Sequence, residues 1–166
     1  MLPFRTILHP TDFSEPSQRA LQLACSLARD QGARLVLVHV AARPAAVYGE
    51  AILIPEPEDY LKPLKRQLDQ LPVPDSTVAV ERRLEEGDAV PDILRVAQET
   101  GADLIVMGTH GRTGLGRLLM GSVAEQVVRK APCPVLTVKT PLPDAGTQPP
   151  AGATREPLSA PAGSRR

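Results

Sequence analysis

Residues 34–40 read Arg-Leu-Val-Leu-Val-His-Val, a nearly continuous apolar run from which the fold class of this chain can be inferred. A strand of a parallel sheet is buried on both faces and reads as such a run, whereas a half-exposed strand alternates apolar and polar residues. Residues 103–107 and 134–138 have the same apolar character, and residues 4–9 form a further strand candidate. Residues 77–84 alternate instead, which is typical of a strand at a sheet edge.

Apolar residues at helical spacing lie between these strand candidates. They fall near residues 20–28, 61–71, 90–97 and 123–131. Strands that alternate with helices along the chain pair in parallel, and the helices cover both faces of the sheet. The sequence therefore predicts an α/β fold, a doubly wound open sheet of five parallel strands.

Two segments depart from this pattern. Residues 140–166 are rich in Pro, Ala and Gly and have no apolar periodicity, so they cannot bury enough apolar surface to offset the entropy of ordering. We expect one folded domain over residues 1–139 and a disordered tail over residues 140–166. Residues 41–57 form a connection that is long for an α/β fold, and we interpret it as a lid or a contact surface.

The composition excludes several classes of function. The chain has 19 Lys plus Arg, 19 Asp plus Glu, two Phe, two Tyr and no Trp, whereas nucleic-acid binders show a basic excess and aromatic stacking platforms. No apolar run approaches the roughly 20 residues of a membrane span. Cys25 and Cys133 fit neither a disulfide framework nor a zinc knuckle. We expect a cytoplasmic protein with two reduced cysteines and no nucleic-acid or membrane partner.

The richest local signal is a set of glycines in residues 108–121: Gly108, Gly111, Gly114, Gly116 and Gly121. Glycine lets backbone amides approach an anion closely and adopts positive φ without strain. A helix N-terminus just beyond adds free N–H groups and the positive end of a dipole. This combination favours phosphate binding.

Two standard phosphate motifs do not fit this segment. The P-loop requires Lys followed by Ser or Thr where this chain has Arg117 and Leu118. The dinucleotide fingerprint places its glycines directly after the first strand, and residues 10–14 contain none.

The spacing Gly108-x-x-Gly111-nine residues-Gly121-Ser122 resembles the nucleotide signature of the universal stress protein family. Residues 10–14, Pro-Thr-Asp-Phe-Ser, are similar to the opening motif of that family. Residues 37–40 and 132–138 resemble its second and final strands, so the landmarks cover residues 4–139 in order.

The resemblance implies the strand order 3-2-1-4-5, which places strands one and four side by side at the switch point where ligands bind. It implies ATP binding, with Mg²⁺ or Mn²⁺ held through the ATP phosphates and few or no protein ligands. Asp12 and the backbone of Val40 would hold the adenine end. The residues expected around the nucleotide are Pro10, Thr11, Asp12, Val40, Met107, Gly108, His110, Gly111, Arg112, Gly114, Gly121, Ser122 and Val123.

Several of these residues also have plain structural interpretations. Asp12 and Ser14 are candidate N-caps of the first helix, and Ser122 begins a capping box with Glu125. His110 is either a phosphate contact or an exposed loop residue. A cap and a phosphate ligand use the same amides, so the two interpretations are compatible.

No catalytic constellation is visible in the sequence. We expect His9 and His39 to be structural, and Arg112 to be either a phosphate contact or a solvated loop charge. Phosphoryl transfer needs concentrated positive charge beside the phosphates, and the sequence offers one or two arginines there. We therefore assign no catalytic or metal-ligating residue and expect nucleotide binding with, at most, slow hydrolysis.

Two functional hypotheses remain. The first is a nucleotide-dependent regulatory or stress-resistance module whose bound state is read by an unidentified protein partner. The second is a nucleotide-independent dimeric stress or scaffold protein that keeps the glycine segment as a structural turn. Both include a homodimer through residues 134–138, because an uncharged apolar edge strand is an aggregation hazard unless it is paired.

Overall fold

The computed structural model describes residues 4–44, 46–48, 51–53, 55–109 and 120–139. The predicted tail and most of the glycine-rich segment lie outside the described residues. The elements, in chain order, are β1 (Thr6–Pro10), α1 (Glu15–Gln31), β2 (Arg34–Ala41), β3 (Ala46–Tyr48), β4 (Ala51–Leu53), α2 (Pro57–Gln70), β5 (Val80–Glu86), α3 (Ala89–Thr100), β6 (Leu104–Gly108), α4 (Ser122–Lys130) and β7 (Val135–Val138).

Five of these strands form one sheet in the order β5-β2-β1-β6-β7, and each neighbouring pair is parallel. Counted along the chain without β3 and β4, this is the predicted order 3-2-1-4-5. The prediction of a doubly wound sheet of five parallel strands is therefore confirmed.

The central strands are buried on both faces, as the apolar run at residues 34–40 predicts. Leu35 and Leu37 of β2 are fully buried in a core cluster with α1 and α2. Val36 and Val38 lie in a second cluster with α3 and α4 on the opposite face. Successive side chains of a strand point to opposite faces, so a continuous apolar run serves two cores at once.

The connection between β2 and α2 is not a simple loop. β3 and β4 form an antiparallel two-stranded hairpin in which Val47 pairs with Ile52 and Tyr48 with Ala51. We predicted a long connection over residues 41–57 without strands, so the hairpin is a correction. The signal was present, because Gly49-Glu50 separates two short apolar runs and Gly at the first position of a two-residue turn favours a hairpin.

The structure also describes the two cysteines and the helices, for which the sequence predicts no disulfide framework and no membrane span. Cys25 is 1% exposed and Cys133 is half-buried, and both are free thiols. Burial raises the pKa of the Cys133 thiol, which keeps it in its unreactive protonated form. Among the helices that the structure describes, none is long and apolar enough to cross a membrane.

Candidate functional site

A pocket of about 250 Å³ opens at the carboxyl ends of the central strands. It lies at the switch point, because β1 pairs with β2 on one side and with β6 on the other. Its volume is close to the roughly 300 Å³ at which small-molecule sites begin. The described lining residues are Pro10, Thr11, Asp12, Ser17, Val38, His39, Val40, Ala89, Ile93, Met107, Gly108, Thr109, Gly121, Ser122, Val123 and Ala124.

The turn between β1 and α1 forms one wall of the pocket. Ser14 is the N-cap of α1, and its Oγ accepts a hydrogen bond from Ser17 N at 3.4 Å. The Asp12 carboxylate accepts from Ser14 N at 3.0 Å and from Ser14 Oγ at 2.5 Å. Asp12 is therefore not the N-cap; it supports the cap residue and lines the pocket.

Phe13 holds this turn in an unusual backbone conformation. Its φ is +65°, the left-handed region that a bulky residue rarely adopts. Its N–H donates to Thr11 Oγ1 at 3.1 Å, and its ring lies 4.4 Å from the His39 ring, centroid to centroid. Strain of this kind persists only where surrounding contacts determine the conformation, so the turn is a fixed part of the wall.

His9 lies beneath this wall and is fully buried. Its Nδ1 is 2.8 Å from Val106 O, and burial lowers the pKa of His9 to about 4 even though the nearby Asp12 charge opposes that shift. His39 is 7% exposed, and its Nδ1 is 2.7 Å from Thr11 O. Both histidines have the buried hydrogen bonds of structural residues, and His39 also lines the pocket.

The start of α4 forms the opposite wall. Gly121 is the N-cap, and its N–H donates to Thr109 O at 2.7 Å. Ser122 is the first helical residue, so the predicted capping box is wrong by one position. Gly121 has φ −60°, and the described part of the glycine-rich segment contains no residue of positive φ. The positive φ that glycine allows is therefore not used at Gly121, and a residue with a Cβ could adopt the same backbone conformation.

The interior of the pocket between these walls is apolar. Val38 and Val40 come from β2, Ala89 and Ile93 from α3, and Met107 from β6. Asp12 is the one carboxylate among the described lining residues. Within the part of the chain that the structure describes, no group of three or more His, Cys, Asp or Glu side chains could hold a metal ion.

Nine of the predicted site residues line this one pocket: Pro10, Thr11, Asp12, Val40, Met107, Gly108, Gly121, Ser122 and Val123. They come from four separate segments, brought together by the sheet order. The remaining four, His110, Gly111, Arg112 and Gly114, lie outside the described residues. Their assignment stays a prediction.

Seven lining residues were not predicted: Ser17, Val38, His39, Ala89, Ile93, Thr109 and Ala124. Most belong to apolar helix and strand faces that sequence reasoning assigns to the core. Ser17 is different, because a serine three residues after an N-cap gives no signal of its own. The place of Ser17 in the pocket wall is evident only in the structure, where its hydroxyl is hydrogen-bonded to Thr11 Oγ1.

Comparisons with known proteins agree with this geometry. The model of the universal stress protein family matches residues 3–139. A universal stress protein of Methanocaldococcus jannaschii is 36% identical in an alignment of length 147 that covers 83% of this chain and 84% of that protein.

Two solved structures have a similar fold and bound nucleotides. A universal stress protein in complex with cAMP is 26% identical, with a TM-score of 0.64, and covers 84% of this chain and 100% of its own. The universal stress protein of Archaeoglobus fulgidus in complex with dAMP is 26% identical, with a TM-score of 0.59, covering 83% and 100%. With the sheet order, the switch-point pocket and the family match in agreement, this chain belongs to the universal stress protein family.

Proposed function

We propose that the pocket binds an adenine nucleotide, with ATP as the ligand, and that the protein is a nucleotide-dependent regulatory or stress-resistance module. The observation that carries the proposal is the arrangement of the pocket, an apolar interior between the carboxylate of Asp12 and the N-terminus of α4. A nucleotide has the matching parts, a flat base, a sugar with hydroxyl donors and a phosphate group. The related proteins in complex with cAMP and dAMP support the same class of ligand.

The base fits the apolar interior. Val38, Val40 and Ile93 provide contact surface without charge, and burial of such surface is the main source of affinity for a base. Backbone groups near Val40 supply hydrogen bonds to the edge of adenine and discriminate against guanine, whose exocyclic groups would be left mispaired. Asp12 accepts hydrogen bonds from the sugar.

The phosphates fit the start of α4. The first N–H groups of a helix have no partner inside the helix, and the positive end of the helix dipole lies there. Gly121 leaves space for close approach, and the amides of Ser122 and Val123 follow directly in the first turn. The predicted contributions of His110, Gly111, Arg112 and Gly114 complete this end of the site.

A divalent cation fits this arrangement only as part of the nucleotide. Asp12 already accepts two hydrogen bonds from Ser14, and the other described lining residues carry no carboxylate. Mg²⁺ retains several waters and binds readily through substrate phosphates. We therefore propose that Mg²⁺ or Mn²⁺ enters with ATP, held by the phosphate oxygens, and that hydrolysis is slow at most.

Two measurements test this proposal. Protein purified from cells is denatured, and the released small molecules are identified by mass; we expect an adenine nucleotide. Calorimetric titration then compares ATP with GTP in the presence of Mg²⁺, and we expect ATP to bind more tightly. A protein that releases no nucleotide and binds neither one contradicts the proposal.

A second candidate function, a nucleotide-independent dimeric scaffold, is favoured by one observation at Gly121. Its N–H donates to Thr109 O at 2.7 Å, so this amide already has a partner within the protein and needs no phosphate to satisfy it. In this case the pocket would be a by-product of the fold. The titration above separates the two functions, because a scaffold folds and assembles without ATP.

We further propose that both functions use a homodimer through the edge strand at residues 134–138. β7 has no charged residue, and Leu136 is 38% exposed. The opposite edge, β5, is protected by ion pairs of Glu81 with Arg34 and of Arg83 with Glu99. Equilibrium sedimentation tests the dimer: we expect Leu136→Lys to yield a folded monomer, and a wild-type monomer at all concentrations would contradict it.

A further inference from the structure

Buried polar side chains are concentrated beneath one wall of the pocket. The buried polar residues of the described chain are Thr6, His9, Thr11, Ser17 and His39. Thr11 lies in the turn between β1 and α1, and His9 of β1, Ser17 of α1 and His39 of β2 surround that turn. Burying a polar group is unfavourable unless it is hydrogen-bonded, so each of these groups needs a partner, and together they form a network with defined geometry.

The hydrogen bonds of this network link His9 to Thr11 through Ser17. His9 Nδ1 faces the carbonyl of Val106 at 2.8 Å, and a carbonyl only accepts, so Nδ1 carries the proton. The low pKa of His9, about 4, keeps the ring neutral, which makes Nε2 an acceptor. Ser17 Oγ lies 3.4 Å from Nε2 and 3.0 Å from Thr11 Oγ1. Ser17 has a single hydroxyl proton, for which Thr11 Oγ1 is the closer acceptor and His9 Nε2 the more distant one.

The same network supports Phe13, the residue with the left-handed backbone conformation. The Thr11 hydroxyl oxygen accepts hydrogen bonds from Ser17 Oγ at 3.0 Å and from Phe13 N–H at 3.1 Å. That last bond supports the backbone of Phe13 at φ +65°. The carbonyl of Thr11 is fixed separately, by His39 Nδ1 at 2.7 Å. Asp12 therefore lies between two residues that the network holds in place.

We propose that Ser17 and His9 are positioning residues, whose hydrogen bonds hold the turn of residues 11–14 in the conformation that presents Asp12 to the nucleoside of a bound nucleotide. This inference rests on the proposed function. His9 is fully buried and is not among the lining residues of the pocket, so its effect on a ligand passes through Ser17 and Thr11.

The test is a double-mutant cycle with two ligands. Ser17→Ala, His9→Gln and the double variant are titrated with ATP and with inorganic triphosphate, which lacks the nucleoside. We expect each single variant to lower ATP affinity about fivefold, the size of one lost hydrogen bond. We expect the double variant to lose no more than either single variant, because both break one chain of hydrogen bonds. Affinity for inorganic triphosphate should not change.

The matched control is Ser26→Ala. Ser26 is on the same helix, and its hydroxyl donates to Gln22 O at 3.1 Å, away from the pocket. We expect this variant to bind both ligands like the wild type. If Ser17→Ala and His9→Gln lower only the melting temperature and leave the ATP affinity intact, their role is structural and the inference is wrong.

The outcomes for the two proposals are distinguishable. A wild-type protein that binds no ATP contradicts the proposed function, and the inference falls with it. A wild-type protein that binds ATP while the variants bind it equally well contradicts the inference alone. Should the variants fail to fold, hydrogen exchange of the Phe13 amide in the wild type replaces them. We expect added ATP to slow it about fivefold or more, and an exchange rate that ATP leaves unchanged would overturn the inference.

Discussion

Two helices begin at the pocket, and their N-terminal ends are built differently. The N-cap of α1 is Ser14, whose Oγ accepts a hydrogen bond from Ser17 N. Pro16, in the first turn of α1, has no N–H that needs a partner. α4 begins behind Gly121, for which the described residues provide no side-chain cap. A side chain of the α1 end therefore satisfies one of the free backbone N–H groups of its first turn. At the α4 end, more of these N–H groups are left for other partners.

This contrast between the two helix ends indicates where an anion can bind. Both ends carry the positive end of a helix dipole, so the dipole alone does not distinguish them. A cap occupies the amides that a phosphate would use. The proposed division of the site follows from this: phosphates at α4, and at α1 a carboxylate, Asp12, that accepts hydrogen bonds from the nucleoside.

The largest expected effect comes from Gly121→Val. The φ of Gly121 is −60°, which valine adopts readily, so we expect the protein to fold. The branched side chain would occupy the space over the first turn of α4, and we expect ATP affinity to fall at least about a hundredfold, a change of about 3 kcal/mol. Calorimetry measures the affinity, and thermal denaturation checks the fold.

Gly121→Ser is the milder counterpart of that variant. A serine there gives α4 the kind of cap that Ser14 gives α1, which stabilises the helix by a few tenths of a kcal/mol and competes with the phosphates. We expect a slightly higher melting temperature with weaker ATP binding. If Gly121→Val is folded and binds ATP like the wild type, the glycine is a structural turn and the scaffold function is correct.

The second prediction concerns the pH dependence of stability that arises from His9, which is buried beneath the α1 end of the pocket. The pKa of His9 is about 4 in the folded protein and 6.5 ordinarily. Between these two pH values the unfolded chain binds a proton at His9 that the folded protein does not bind. The contribution of the neutral, buried His9 to the free energy of unfolding is therefore fully present above pH 6.5 and is lost as the pH falls towards 4. At about 1.4 kcal/mol per pKa unit, the loss approaches about 3 kcal/mol.

Urea denaturation at a series of pH values measures this loss. The acidic groups of the protein also titrate in part of this range; Asp103, for example, has its pKa lowered by hydrogen bonds from the amides of Arg5 and Thr6. The His9→Gln variant keeps those groups and removes the imidazole. We expect its stability to fall less steeply between about pH 6.5 and 4, and parallel curves for the two proteins would refute the assignment.

The fold was predictable because it depends on patterns that are local in sequence. The apolar run at residues 34–40 requires a strand covered on both faces, and the order of strands and helices then leaves few topologies. Gly32 and Gly101 adopt φ values of 64° and 61° at the ends of α1 and α3, where a helix needs a residue in the left-handed region. The hairpin of β3 and β4 was missed because its strands are three residues each, too short for a periodicity to be read.

The site was predictable only in part. Residues after β1 and β6 could be assigned because the ends of neighbouring parallel strands meet at one edge of the sheet. The left-handed φ of Phe13 and the buried chain from His9 to Thr11 have no sequence signal, because they depend on contacts between residues as far apart as His9 and Val106. The backbone conformation of Gly121 had no sequence signal either, because glycine permits positive φ although its φ here is −60°.

The third prediction tests the nucleoside side of the comparison. Asp12→Ala removes the carboxylate from the pocket and also two hydrogen bonds to Ser14. We expect ATP affinity to fall about tenfold, the usual size for a hydrogen bond to a charged group. Affinity for inorganic triphosphate should not fall, because the phosphates are proposed to bind at the start of α4, on the opposite wall of the pocket from Asp12. Equal losses for the two ligands would place Asp12 at the phosphate end.

The smallest effect, and the most direct comparison of the two helix ends, comes from one substitution made at each. Ser14→Ala removes the N-cap of α1, and we expect it to lower the free energy of unfolding by about 1 kcal/mol. Ser122→Ala alters the first residue of α4, which is not a cap, so we expect stability to change by less than about 0.5 kcal/mol. Ser122 lines the pocket, and under the proposal its hydroxyl contacts a phosphate, so ATP affinity should fall about threefold, at the lower end for a neutral hydrogen bond. Urea denaturation of both variants measures the free energy of unfolding, and calorimetry measures the ATP affinity.

A Ser122→Ala protein that loses stability as Ser14→Ala does, with ATP affinity intact, would show that the start of α4 is capped like that of α1 and that the phosphates bind elsewhere.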